Sequence, residues 1–206
     1  MTFFIFFVYD CNPNNDDILE RHIFSSLFNE LVDSTITDYR KLVVPSPEDF
    51  KNLEGQKKFY ELIEMKKTEV YEPLVVFICD TINQIKGDEH VFNKIKPFLE
   101  KNDFESILSE IKNKKGKSYM ESKLFKMDTT KYKLLSFSDK GEEKYKNRND
   151  LATYNLSRIY FNKSKNIGIF SLDIVYSGLN GYGFIVILDK KDNIWTVGKL
   201  VEYWES

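Results

Sequence analysis

Cysteine is almost missing from this 206-residue chain: Cys11 and Cys79 are its two, too few for a disulfide framework. Histidine is as scarce. His22 and His90 lie far apart in the chain, with no ligand partner at helical spacing beyond the acidic neighbours Asp88 and Glu89, so no metal site is expected. An excess of one charge is absent too. Lys and Arg number 30 against 32 Asp and Glu, a net charge of −2, which gives no electrostatic basis for holding nucleic acid. The apolar run at 2–8 is far too short to span a bilayer as a helix. There is no P-loop, dinucleotide fingerprint or EF-hand loop, so no cofactor is implied. No internal repeat or low-complexity linker divides the chain. What remains is ordinary globular composition, 42% hydrophobic and 30% charged, with a generous 15% aromatic. A chain of this length buries roughly 70% of its unfolded surface and needs neither metal nor disulfide to hold it.

The local signals agree best over 155–204. Residues 156–161, 167–176, 183–188 and 194–203 are rich in β-branched and aromatic side chains, and polar or glycine-containing turns separate them. This spacing predicts four strands in an antiparallel meander. In 167–176, Phe170, Leu172, Ile174 and Tyr176 form the better apolar face and are expected to point to the core. Asp173 falls on the other side and is expected to be solvated. In 183–188 both faces are apolar, which marks a central strand covered on both sides. Gly178, Gly181 and Gly183 suit a hairpin with a bulge; a ligand loop is the functional alternative, but no helix follows them to receive a phosphate.

Phe161-Asn162-Lys163, Ser177-Gly178-Leu179-Asn180-Gly181-Tyr182-Gly183, Lys190-Lys191-Asp192-Asn193-Ile194-Trp195 and the closing Trp204-Glu205-Ser206 carry a resemblance. The segment resembles the C-terminal part of a group of uncharacterised small bacterial proteins, many of them predicted lipoproteins. Their ends read FNK, a CGxLCGxG-like turn, KxGxW and WxS. The chain departs from the pattern at Ser177 and Asn180, where the group often has cysteines. The resemblance implies a fold and an envelope location, and no activity.

The N-terminus points the same way. Residues 2–8 read TFFIFFV and stop at Tyr9-Asp10-Cys11, after which the chain turns polar through Asn12-Pro13-Asn14-Asn15-Asp16-Asp17. An apolar run halting at a cysteine and followed by a polar tether is the pattern of a lipoprotein signal, in which the thiol of Cys11 takes the lipid. The run is short, no Lys or Arg precedes it, and Tyr9-Asp10 replaces the small residues normally found there. A true start upstream of Met1 would account for the first two departures. The alternative is a first strand, 3–8, that joins the core sheet and ends in a surface cysteine.

Between these ends the helical signals dominate. Leu19, Ile23, Leu27 and Leu31, flanked by Phe24, Phe28 and Val32, form one broad stripe from about 17 to 34 that should pack on the meander. His22, Asp33 and Ser34 invite a catalytic triad, but there are no elbow glycines and no second anchor, and a boundary histidine and a helix end explain them better. Residues 48–66 have helical spacing with many charges and predict an irregular, partly exposed helix. Residues 74–79 are a confident strand, and Cys79 reads there as a small buried residue. Asp80 follows, either a strand-end catalytic carboxylate or a cap on the next turn through backbone N–H groups. Short helices are expected around 92–99, bent by Pro97, and around 104–111, with Asp103 near the cap. The KNKKGK stretch at 112–117 is a basic turn, either solvated or set against an anionic membrane. Residues 132–137 are a further strand. Trp204 reads as a closing core residue more readily than as a ligand stack.

These readings give an α+β fold with N-terminal helices packed on a C-terminal antiparallel meander. Residues 1–16 are expected to be a signal remnant and tether, and 17–206 one domain. The expected function is a non-enzymatic envelope protein, lipid-anchored at Cys11 and making protein contacts. A cytoplasmic immunity-type protein that binds a toxin is the alternative, suited by the many charges, and an enzyme of unknown class comes third. No catalytic residue is assigned.

Overall fold

The computed structural model describes residues 15–36, 38–85, 89–138, 150–176 and 180–205. Their elements run α1 (Asn15–Thr35), α2 (Leu53–Thr68), β1 (Leu74–Ile78), β2 (Thr81–Ile82), α3 (Glu89–Ile95), α4 (Lys101–Asn113), β3 (Ser118–Tyr119), β4 (Tyr132–Ser136), β5 (Asp150–Leu156), β6 (Tyr160–Phe161), β7 (Ile167–Val175), β8 (Gly181–Lys191) and β9 (Ile194–Glu205). Among the described residues one sheet has seven strands, in the order β4-β1-β5-β7-β8-β9, with β6 continuing along β7; β2 and β3 form a separate pair. The fold is α+β.

The predicted meander is there: β7, β8 and β9 pair antiparallel, with Phe170 opposite Val186 and Ile187 opposite Lys199. Asp192 and Asn193 both have positive φ, so they make the two-residue turn whose twist matches the strands it joins. The rest of the sheet departs from a pure meander. β1 pairs parallel with both β4 and β5. The expected strand at 156–161 is two pieces, because the chain bulges at Ser157–Ile159 between β5 and β6. Ser157 crosses to an isolated parallel bridge with Asn83, and the Ser157 hydroxyl accepts the N–H of Ser171 at 2.7 Å.

Each face of the sheet has its own core. On one side α1 buries Ile23, Phe24, Leu27, Phe28, Leu31 and Val32 against β1, β5, β7 and β8. That is the predicted stripe, and Phe170, Leu172 and Ile174 face it as expected. Phe24 meets Phe170 edge to face with centroids 5.1 Å apart, and Phe28 meets Tyr154 at 5.5 Å, a geometry favoured by the ring quadrupoles. On the other side α3 and α4 cover Ile169, Ile185 and Ile187. β8 is therefore buried on both faces, which its unbroken apolar run predicts. Ile95 and Ile107 anchor those two helices in the second core, and Pro97 turns the end of α3 into a 3-10 segment.

The expected hairpin is there, with Val175 opposite Gly181, and the register of β8 against β9 shifts between Gly183 and Phe184, as a bulge does; the two glycines also serve packing. Gly181 and Gly183 lie inside the strand, and a Cβ on Gly183 would fall 1.8 Å from Nε1 of Trp204. Trp204 lies across the two glycines; expected as a core residue, it is only partly buried and belongs to neither core. Gly178 lies outside the described residues.

Candidate functional site

The segment 38–72 is an arm closed at its neck. Arg40 is bound by both oxygens of Asp38 and donates from Nη1 to the carbonyl of Glu72 at 2.8 Å. The Tyr71 hydroxyl donates to the Arg40 carbonyl at 3.1 Å, and the Arg40 guanidinium lies 4.9 Å from the Tyr71 ring centre. The hydrogen bond from Arg40 holds the Asp38 carboxyl below the usual carboxylate range. Beyond the neck α2 is held by local means. Asn52 caps it by accepting the Gly55 N–H at 2.7 Å, and Phe59 meets Phe50 of the preceding 3-10 turn at 5.5 Å. No residue of α2 is buried. Leu53 is 84% exposed and Val70 95%, with Tyr60 and Met65 also open.

A polar groove occupies the part of the second face that α3 and α4 leave open. The alternation that buries Ile169 brings Ser171 and Asp173 to this face, with Asn155 paired to Asp173 across β5 and β7. Asn83, Gln84, Leu156 and Ser157 complete the lining, and the cavity is about 230 Å³. Asp173, expected to be solvated, is instead fixed: Tyr203 donates its hydroxyl and Trp204 its Nε1–H (2.9 Å) to the same oxygen, Oδ1. Burial, then the bond to Asp173, pushes the Tyr203 hydroxyl well above its ordinary pKa, so it stays a donor.

A buried ionic network ties α1, α4 and the bulge together. Glu20 is 1% exposed and Arg158 7%. Arg158 Nε lies 3.3 Å from both Glu20 oxygens, and its Nη2 donates to Asp17. Lys114 Nζ reaches Glu20 at 2.6 Å and the Ile159 carbonyl at 2.9 Å. Glu110 accepts the Phe161 N–H, and Lys165 binds Asp16 at 2.6 Å. Burial opposes the Arg158 charge, but Glu20 and Asp17 outweigh it and its pKa rises. Burial pushes the Glu110 carboxyl up, while the hydrogen bond from Lys165 holds that of Asp16 down. With each buried charge matched, the network fixes how the first helix sits on the bulge.

The residues singled out from sequence are scattered. Cys11 and the 2–8 run lie outside the described residues, as do the side chain of His90 and the turn at 177–179. His22 is exposed. Asp33, about three turns along the same helix, accepts the Tyr132 hydroxyl at 2.7 Å, and Ser34 bonds back to the Glu30 carbonyl, so no triad forms. Asp80 does not cap its turn through backbone N–H groups; its Oδ2 accepts the hydroxyls of Ser136 and Ser138 at the end of β4. Cys79 is partly exposed rather than buried. The basic turn is not uniformly solvated, because Lys114 belongs to the network. Asp103 lies in the first turn of α4 and accepts from Asn162, whose amide also builds the turn before β7. Among the described residues no group of His, Cys, Asp and Glu is arranged to hold a metal, and no helix is long and apolar enough to cross a membrane.

The groove and the network were missed in the sequence. The one available signal was Arg158, a charge inside the expected strand at 156–161. Compared with known protein families, curated proteins and solved structures, the chain matches none.

Proposed function

We propose that this protein is a non-enzymatic binding protein of the cell envelope, anchored through Cys11 and meeting a protein partner through the arm at 42–70. The arm carries the reading. More than half of the exposed large hydrophobic side chains among the described residues fall within it, although it is a small part of the chain. Scattered apolar residues are normal on a monomer, but a concentration on one segment marks a contact surface. Ion pairs such as Lys58–Glu54 (2.7 Å) and Lys67–Glu64 (2.6 Å) flank these side chains, which suits an apolar contact with a polar rim. The anchor is supported by the apolar run that stops at Cys11 and the polar residues after it; two acyl chains hold a protein to a membrane where one does not.

A photo-cross-linking residue placed at Leu53 or Met65 in the native host tests the surface. A discrete adduct from these positions, absent with the same residue at Ser164, is expected. No adduct at either, or equal labelling at Ser164, overturns it. For the anchor, intact mass and fractionation are read on protein from its own host. Lipid on Cys11, with release by Cys11→Ser, is expected. An unmodified chain that still begins at Met1 ends the envelope reading and leaves the cytoplasmic, toxin-binding alternative.

A further inference from the structure

We infer that the groove over β5 and β7 binds a small, neutral, hydroxyl-rich molecule of monosaccharide size. The inference shares no residue with the arm and does not rest on it. Three polar groups in the groove make no hydrogen bond among the described residues, although their neighbours are extensively paired. They are the Asn155 amide, the Ser171 hydroxyl and Oδ2 of Asp173. Neither Asn155 nor Ser171 nor Asp173 contributes a buried orphan atom, so these groups open to the cavity. Gln84 and Asn83 add two more amides, each with a single long contact of 3.5 Å to a carbonyl.

The Asp173 carboxylate is aimed. Two aromatic donors from β9 hold Oδ1 and thereby orient Oδ2, so this acceptor is set before any ligand arrives. Preorganised polar groups in a concave site are what give a small-molecule site its selectivity.

The chemistry of the lining selects the ligand class. No Lys or Arg lines the groove, so an anion would meet the Asp173 charge without compensation. A cation would take the carboxylate and the oxygens of the amides and the serine, but would leave the amide N–H donors unmatched. An apolar molecule would strand every one of these groups without a hydrogen-bond partner. Hydroxyls are donor and acceptor at once, so a polyol can answer a carboxylate, amides and a serine together. The volume of about 230 Å³ lies below the ~300–1,000 Å³ of drug-sized sites, which fits one sugar ring.

Amide NMR spectra of the full chain test this, with D-glucose, D-galactose, D-mannose and N-acetyl-D-glucosamine added in turn. n-Butylamine and inorganic phosphate are the charged controls. At least one sugar should shift the signals of Asn155, Ser171 and Asp173 along a saturating curve, with a Kd of about 1 mM or tighter. Asn155→Ala should weaken that binding at least about tenfold. Its side chain holds nothing else in place, so the fold survives the change. Asp173→Asn should weaken it as well, and if that variant misfolds, Asn155→Ala still decides. The inference is overturned if no sugar shifts these signals, if butylamine or phosphate shifts them as strongly, or if Asn155→Ala binds unchanged.

Discussion

Helices α1 and α2 are of comparable length, 21 and 16 residues, yet one is the centre of the main core and the other buries nothing. The difference lies in what each leans on. α1 has poor helix formers in its stripe, four of them aromatic or β-branched at Ile23, Phe24, Phe28 and Val32. It is helical because the sheet takes that stripe. α2 has a capping Asn52, good helix formers and Lys–Glu pairs one turn apart, and it is helical by its own sequence. Helices of this length are marginal alone, so α2 should open without the rest of the molecule, while α1 should open only with it.

The largest effects should therefore come from α1 and its partners. Phe28→Ala should cost about 3–5 kcal/mol in denaturant melts. Arg158→Ala, which leaves the buried Glu20 with Lys114 as its remaining partner, should cost about 3 kcal/mol, the low end for a broken buried pair. Next comes Gly183→Ala. The added Cβ collides with Trp204, for a loss of about 1–3 kcal/mol and, because Trp204 moves, a change in its fluorescence. Asn52→Ala should cost about 1 kcal/mol, and only locally: hydrogen exchange should quicken across 53–68 while the global melt stays put. A fall in the global melt would show that the arm is part of the core after all.

Acid gives a gentler separation. The folded pKa of Asp38 lies below its ordinary 3.8. Its contribution is thus present above 3.8 and lost as pH falls through the lower folded value. Exchange protection at the neck should weaken there, and Asp38→Asn should remove that dependence. The smallest effect belongs to Leu53→Ser, under about 0.5 kcal/mol, because the side chain is already in water.

This contrast also explains what the sequence could disclose. The stripe of α1, the two-sided apolar run of β8 and the exposed character of 48–66 are periodic features, and period is a local property. The parallel pairing of β1 with β4 and β5 is not. It depends on which strands a sheet brings together, and 74–79 reads the same in any neighbourhood. The site was less legible still. Lys114 looks like the other lysines of KNKKGK, and only the approach of Glu20 from the first helix distinguishes it. Asp173 looks solvated by alternation, because the donors that fix it arrive on β9. Gly181 and Gly183 read as hairpin and bulge glycines, which they are, but nothing local shows that Trp204 lies across them.

The Arg158–Glu20 pair joins positions 138 residues apart, and that distance has a consequence for how the chain assembles. β7 and β8 meet through a short connection and can pair early, whereas α1 and the bulge must wait for a long loop to close. Contacts of such separation slow folding. An early hairpin would expose Phe170, Leu172 and Val186 until α1 arrives, so the slow step is also the one most open to aggregation. The arm lies within that loop. Shortening it would change the closure entropy only slightly, about 0.6 kcal/mol for each halving of the loop, so a chain without the arm should reach the same core at nearly the same rate.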